Sequence, residues 1–271
     1  MSLIQSILMG ILQGLTEFIP VSSSGHLVLA QHFFGIGDSE NIVFELFMHL
    51  GTLLAVLVFF RKTLWELIKS LFSWGNTVNR EQHRKNRTLV YYLIISTLAT
   101  GVIYILFGDF MEAVFNMPML VAIFLLVTGV IVFVSDYFKD KGIPACNIGF
   151  LQAVLIGIGQ GVAILPGISR SGTTIACSLA TGMKRKDAAQ YSFLLSIPAI
   201  LAGNLSQYKA FANLKPQLLI NYLAGFVCSF LVGYLVIAFL IRLIEVSRLK
   251  YFAVYCWLIG LLSIVLIILG F

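Results

Sequence analysis

The chain has 271 residues, of which 59% are hydrophobic and 11% charged, and its formal net charge is +6. Average soluble domains are about 45–50% apolar and about 25% charged, so this composition excludes a water-soluble enzyme and a disordered protein. A nucleic-acid partner is also excluded, because no Lys or Arg precedes Arg61 and the basic residues lie in short gaps between apolar runs. The sequence therefore predicts a polytopic membrane protein surrounded by lipids.

The chain begins with an interrupted apolar stretch over residues 3–36. Residues 3–19 are apolar, Pro20 and a Ser/Gly run break the stretch, and residues 26–36 resume it. At about 1.5 Å per residue the second arm reaches roughly 17 Å, which is too short to cross about 30 Å of hydrocarbon. We predict a re-entrant helix hairpin that enters the membrane and returns. A plain spanning helix over 3–19 is the alternative.

Spanning helices follow this stretch, and the pattern then repeats. A second interrupted stretch, 148–183, is broken by Pro166-Gly167, and its second arm is again too short to cross. Helices satisfy their own backbone hydrogen bonds in lipid, so we expect an all-α fold with six transmembrane helices and two re-entrant helix hairpins. The six predicted spans are 41–60, 89–107, 117–138, 189–206, 218–241 and 252–271.

An internal repeat relates the two halves. Aligned at an offset of 147, residues 10–26 and 157–173 are identical at 7 of 17 positions. Each copy is a hairpin followed by three spans, and because three is odd the second copy enters the membrane inverted. We therefore predict a single membrane domain made of two repeats, 1–138 and 148–271. In inverted repeats the interrupted helices meet near the midplane, so the two hairpin tips are expected to come together.

The basic residues predict the orientation of the chain. Of the 18 Lys and Arg residues, 15, including Arg248, lie in gaps that this layout puts on one side of the membrane. The positive-inside rule places that side in the cytoplasm. Both termini are then expected on the outer face.

The first tip combines an acid, an amide, hydroxyls and a histidine. Gln13 and Glu17 are four residues apart and share one helix face, and a carboxylate at membrane depth is rare without a function. A structural Glu17 bound to a hydroxyl is the alternative. His26 lies at the start of the next helix and suits a general acid, base or nucleophile; a buried core histidine is the alternative. The run between them is Ser22, Ser23, Ser24 and Gly25.

The second tip carries a cation at membrane depth. The guanidinium of Arg170 suits bidentate contact with phosphate oxygens, and a helix that begins near Gly172 points its positive end at the same place. An Arg170–Glu17 salt bridge without a ligand is the alternative. Hydroxyls accompany Arg170 at Ser169, Ser171, Thr173 and Thr174. Together the tips have the groups needed to bind and cleave a phosphate ester or anhydride, and their position among lipid-facing helices predicts a phosphorylated lipid as substrate.

The two motifs, QGLTEF-PVSSSGH and PG-SRSGTT, resemble the signatures of the bacterial undecaprenyl-diphosphate phosphatases, also called bacitracin-resistance proteins. The resemblance extends over the whole chain, and Gln13 fills the first slot of the first motif with its uncharged variant. It implies an enzyme of the bacterial cytoplasmic (inner) membrane that hydrolyses a C55 polyprenyl diphosphate to the monophosphate carrier of peptidoglycan synthesis. It further implies bacitracin resistance and a requirement for a divalent cation, Mg²⁺ or Ca²⁺.

The resemblance also implies roles for individual residues. Glu17, with Gln13, would hold the metal or serve as base, Ser23 and His26 are alternative nucleophiles, and Arg170 would bind the diphosphate. The implied substrate-binding residues are Gln13, Ser22, Ser24, Gly25, Ser169, Ser171, Gly172 and Thr174.

Two other functions are alternatives for these motifs. Type-2 phosphatidic acid phosphatases carry similar SGH and SR elements, but they need a second histidine after the SR element, and this chain has no His after His83. A lipid-phosphate flippase or transporter would use the same inverted repeat and is the alternative function. A homodimer is compatible with this sequence.

Overall fold

The computed structural model describes residues 2–35, 41–73, 79–246 and 249–271. Position 36, the predicted end of the first hairpin, and Arg248 lie outside the described residues. Within them the chain forms α-helices and short 3-10 turns without a strand, which confirms the all-α prediction. The helices are α1 Leu3–Thr16, α2 Ser23–Phe34, α3 Asn41–Phe59, α4 Arg61–Phe72, α5 Arg80–Val114, α6 Pro118–Ser135, α7 Phe150–Val162, α8 Arg170–Ala180, α9 Arg185–Ser206, α10 Leu219–Val246 and α11 Lys250–Ile268.

Six helices of the described chain are long and apolar enough to cross a membrane, as predicted: α3, α5, α6, α9, α10 and α11. Helix α5 is longer than its predicted span, because the polar segment from Arg80 onward is rich in good helix formers and continues the apolar run as one helix. The polar gap before it also contains α4, an amphipathic helix whose Leu67 and Ser70 are buried.

Besides the 12-residue α4, four of the described helices are too short to cross. They have 14 residues in α1, 12 in α2, 13 in α7 and 11 in α8, and even the longest reaches only about 21 Å. The chain is interrupted between α1 and α2 and again between α7 and α8, at the predicted breaks. These lengths are compatible with the two re-entrant hairpins, which stay a prediction.

The first arm of each hairpin packs against a long helix of the other half. A Cβ atom on Gly14 of α1 would lie 2.8 Å from Val232 Cβ on α10, and one on Gly161 of α7 would lie 2.5 Å from Ile103 Cβ on α5. Gly14 and Gly161 are equivalent positions in the repeat. Glycine therefore allows the same close helix approach twice, and the two halves interlock instead of packing as separate bodies.

A buried cluster of large side chains lies beside the first interruption. Phe18 is fully buried and meets the ring of Phe193 on α9 edge to face, with centroids 5.6 Å apart. Tyr191 and Ile175 are also fully buried in this cluster. This packing fixes the backbone directly after Glu17, which follows the last turn of α1.

Candidate active site

The two hairpin tips are in direct contact. Arg170, the first residue of α8, places Nη2 2.5 Å from Oε1 of Glu17. The hydroxyl of Ser171 donates to the carbonyl of Ile19 at 3.1 Å. A Cβ atom on Gly25 would come within 2.8 Å of Gly167 Cα, so the backbones touch as well. Acid and cation, which the sequence separates by 153 positions, thus share one site.

The carboxylate of Glu17 accepts hydrogen bonds from three side chains. Besides Arg170, Gln13 Nε2 donates to Oε2 at 3.0 Å and Ser23 Oγ donates to the same oxygen at 2.5 Å. Glu17 is 6% exposed and Gln13 is fully buried. The charge of a buried carboxylate is tolerated when it is paired and hydrogen-bonded. This arrangement also gives the proton of the Ser23 hydroxyl a direct acceptor.

Three buried polar atoms at the tips have no hydrogen-bond partner among the described residues, and one of them is Oγ1 of Thr173. The other two are Nη1 of Arg170 and Oε1 of Gln13. A buried polar group without a partner costs about 1–3 kcal/mol, and neighbouring atoms of the same two side chains already bind Glu17. The free donor on Arg170 suits an anionic oxygen, and the free acceptor on Gln13 suits a cation or a hydrogen-bond donor.

The serines before α2 and α8 cap these helices in the same way. Ser22 accepts from Gly25 N at 3.2 Å, and Ser169 accepts from Gly172 N at 3.0 Å. Ser22 has a φ of +70°, which is uncommon outside glycine and concentrates at functional sites. Both helix N-termini, with their positive dipole ends, lie where the tips meet.

Both ring nitrogens of His26 are occupied. Nδ1 lies 2.8 Å from the backbone carbonyl of Ser22, and Nε2 lies 3.0 Å from the hydroxyl of Tyr255 on α11. Because a carbonyl only accepts, Nδ1 carries the proton and Nε2 accepts from Tyr255. Tyr255 could not be identified from the sequence, since a tyrosine within a span has no signal that distinguishes it from a lipid-facing one.

Other predicted residues support the second tip rather than face Glu17. The hydroxyl of Thr174 donates to the Arg170 carbonyl at 2.8 Å and lies 2.6 Å from Ser192 Oγ. The hydroxyls of Ser169 and Ser171 are 3.2 Å apart, and those of Ser22 and Ser24 at the first tip are 3.4 Å apart. Thr128 of α6, which the sequence analysis missed, donates to the Gly167 carbonyl at 2.7 Å and accepts from Ser169 N at 2.9 Å.

The tips fit a divalent cation only in part. Among the described residues no three His, Cys, Asp or Glu side chains are grouped to hold a metal by themselves. The free oxygen of Gln13 and the Glu17 carboxylate are nevertheless the oxygen donors that Mg²⁺ and Ca²⁺ prefer, and Mg²⁺ usually completes its shell with waters and substrate phosphates. The donor set therefore suits a cation that is shared with a bound phosphate.

Comparison with known proteins gives consistent matches over nearly the whole chain. The family described as bacitracin resistance protein BacA matches residues 6–262. The chain is 41% identical to an undecaprenyl-diphosphatase of Methanobrevibacter smithii, over 97% of this chain and 96% of the relative. It is 40% identical to undecaprenyl-diphosphatases of Methanosphaera stadtmanae and of Desulforapulum autotrophicum, in each case over 98% of both chains.

Proposed function

This chain belongs to the bacitracin resistance protein BacA family and hydrolyses undecaprenyl diphosphate to undecaprenyl phosphate and inorganic phosphate, and we propose that the two hairpin tips are its active site. The observation that supports this assignment is the row of contacts from Ser23 to Glu17 to Arg170. A hydroxyl, a base and a phosphate-binding cation lie next to one another, and one guanidinium nitrogen is free.

Arg170 binds the terminal phosphate through Nη1, while Nη2 keeps Glu17 in place. The head group of the lipid enters the polar tips and its isoprenoid chain stays among the lipid-facing helices. The N-termini of α2 and α8 add positive potential at the same point. Charge-assisted donors that are fixed before the substrate arrives stabilise the charge that develops in the transition state.

Ser23 is the better nucleophile of the two candidates. Its hydroxyl already donates to Glu17 at 2.5 Å, whereas the lone pair on His26 Nε2 is occupied by Tyr255. In the first step Ser23 Oγ attacks the terminal phosphorus and gives its proton to Glu17. The new O–P bond forms as the bridging P–O bond breaks, and undecaprenyl phosphate leaves.

The second step releases the phosphate from Ser23. His26 lies three residues beyond Ser23 on α2, so the two side chains share one helix face. His26 takes up the proton that the attacking water loses, and the oxygen of that water bonds to phosphorus. Ser23 Oγ leaves and recovers its proton from Glu17, which frees inorganic phosphate.

A divalent cation would be held by Gln13 Oε1 and the Glu17 carboxylate. Bound there, Mg²⁺ or Ca²⁺ would offset the negative charge on the phosphate oxygens and on the leaving group. This role is supported by the free buried oxygen of Gln13.

The test of this function is phosphate release by the purified protein in detergent, with farnesyl and undecaprenyl diphosphate as substrates, with and without EDTA. An enzyme works without a bilayer, whereas a flippase that only moves the lipid releases no phosphate. We expect release from the wild-type protein, loss of release on chelation, and recovery when Mg²⁺ or Ca²⁺ is restored. The absence of any phosphate release, with cations present, would contradict the proposal.

We further propose that the protein resides in the cytoplasmic membrane with both termini on the outer face, as the distribution of its basic residues favours. Its product would then supply the lipid carrier for peptidoglycan synthesis. A C-terminal alkaline phosphatase fusion should be active, and a C-terminal green fluorescent protein fusion should be dark. The reverse result would contradict this orientation.

A further inference from the structure

The last span touches the first tip through two consecutive residues. Tyr255 donates its hydroxyl to His26 Nε2 at 3.0 Å, and the two rings stack with centroids 5.6 Å apart and an interplanar angle of 8°. Its neighbour Cys256 points Sγ at the carbonyl of Pro20 at 3.8 Å. Helix α11 thus contacts the tip on both sides of the Ser22–Gly25 run.

Tyr255 lies at the boundary between lipid and site. It is 40% exposed, and its neighbours Val254 and Leu258 on α11 are 47% and 63% exposed. A phenol hydroxyl at this depth needs a partner, because hydrocarbon offers none. The partner is the one atom of His26 with a lone pair, since Nδ1 is held by the Ser22 carbonyl.

We propose that Tyr255 relays a proton in the hydrolysis reaction: its hydroxyl passes its own proton to Nε2 of His26 and takes one from the attacking water. This inference rests on the proposed function, in which His26 acts in the second step. Ser22 alone holds Nδ1 and leaves the ring free to tilt about that bond. The stacked phenol and its hydrogen bond remove that freedom.

A defect at Tyr255 should therefore appear in the second step only. The first step uses Ser23, Glu17 and Arg170, and Tyr255 contacts none of these three in the hydrogen bonds of the described residues. If phosphate release from Ser23 slows while its formation does not, the phosphorylated enzyme accumulates. A purely structural role for Tyr255 would reduce the amount of active protein without this accumulation.

The experiment compares Tyr255→Phe with Tyr251→Phe in full-length protein in detergent. Phenylalanine keeps the ring that stacks on His26 and removes the hydroxyl. Tyr251 lies one turn earlier on α11, is 68% exposed, and its ring contacts Lys250 rather than the tip. The substrate is undecaprenyl diphosphate labelled in its terminal phosphate. Release of labelled phosphate measures kcat and KM, and the label that stays on the denatured protein measures the phosphorylated enzyme.

We expect Tyr255→Phe to lower kcat about tenfold, which is the effect of losing one hydrogen bond of ordinary strength. Its KM should be unchanged or lower, and the denatured protein should retain label. Tyr251→Phe should match the wild type. Wild-type kcat and no retained label in Tyr255→Phe, in a preparation in which Ser23→Ala is inactive, would overturn the relay role and leave the proposed function intact. Full turnover by Ser23→Ala would instead overturn the proposed serine mechanism.

A double variant separates the relay from general destabilisation. Once His26 is replaced in His26→Ala, the hydroxyl of Tyr255 has no acceptor for its proton, so adding Tyr255→Phe should cost no further activity. Contacting residues that act through each other show such non-additive effects. Independent losses that multiply would show that Tyr255 acts apart from His26 and would overturn the inference.

Discussion

Arg170 divides its two terminal nitrogens between two tasks. Nη2 is bound to Glu17, whereas Nη1 is buried without a partner among the described residues. A lysine has a single nitrogen and cannot hold the carboxylate and a phosphate oxygen in this planar arrangement.

We therefore predict that Arg170→Lys lowers kcat/KM by roughly 10²–10³, the loss expected when a preorganised charged donor is removed from a dry site. Arg185→Lys is the matched control, because Arg185 pairs with Asp136 at 3.1 Å and contacts neither tip in that pairing. It should keep most of the activity. Near-native turnover by Arg170→Lys would show that the second nitrogen has no part in substrate binding.

Glu17 is the acceptor for three donors, and its charge matters more than its shape. We predict that Glu17→Gln reduces phosphate release to less than a tenth of the wild-type rate, a barrier increase of more than about 1.4 kcal/mol. The amide keeps the volume but cannot take the proton of Ser23 or balance Arg170. Steady-state assays on folded, monodisperse protein check this, and a variant that keeps more than a tenth of the rate argues against Glu17 as base.

Gln13→Glu is expected to have the opposite outcome. Its new carboxylate would lie near the present Nε2 position, 3.0 Å from Glu17 Oε2. Like charges at this distance repel unless a cation neutralises them. We predict retained activity with a stronger requirement for Mg²⁺ or Ca²⁺, measured as phosphate release across a series of free cation concentrations. Equal cation dependence in the variant and the wild type would place the metal away from Gln13.

The site residues differ in how far the sequence could identify them. Glu17 and Arg170 could be predicted because a lone charge at membrane depth is costly and therefore informative. Tyr255 and Thr128 could not, because their contacts depend on how α11 and α6 are rotated and placed beside the tips. The choice between Ser23 and His26 also needed atomic positions, since residue types and spacing suit both.

At the scale of the helices, glycine fixes how α1 approaches α10. A Cβ atom on Gly14 would lie 2.8 Å from Val232 Cβ and 2.9 Å from the backbone nitrogen of Gly233. The backbone cannot yield as a side chain can, so α1 would have to move, and with it Gln13 and Glu17.

We predict that Gly14→Ala destabilises the protein by about 1–3 kcal/mol, the usual cost of overpacking, and lowers activity. Gly101→Ala on α5 is the control, since a Cβ atom there would have nothing within 4 Å; alanine at that helical position should be neutral or stabilising. Thermal unfolding in detergent measures both. Equal melting temperatures for the two variants would mean that α1 and α10 do not pack closely at Gly14.

Helix types were easier to predict than helix limits. The apolar length of each span was sufficient to identify all six long helices, because about 20 apolar residues are needed to cross. Hydrophobicity does not report where a helix continues into water, so the polar first part of the 35-residue α5 and the amphipathic α4 were not predicted. Their polar residues are good helix formers, and tertiary contacts such as Asn86 Nδ2 to Ser70 Oγ at 2.9 Å join the two helices.

For the molecule as a whole, the repeat in the sequence explains why the proposed active site is composite. The first tip has the acid and the histidine but no cation, and the second has the cation but neither acid nor histidine. Helix α1 packs on α10 of the second half, and α7 packs on α5 of the first. Neither half could bind and cleave a diphosphate alone, because each supplies only part of the chemistry and part of the other's support.

Crosslinking between the tips tests this arrangement in the membrane. The Ser171 hydroxyl lies 3.1 Å from the Ile19 carbonyl, so cysteines at positions 19 and 171 should react with a short bifunctional linker or form a disulfide, which requires Cα atoms within about 7 Å. The background has the native thiols Cys146, Cys177, Cys228 and Cys256 replaced by alanine and must still release phosphate. Single-cysteine variants control for linkage between molecules. If no linker shorter than about 10 Å joins the pair, the tips lie apart in the membrane, and Glu17 and Arg170 cannot act on one phosphate.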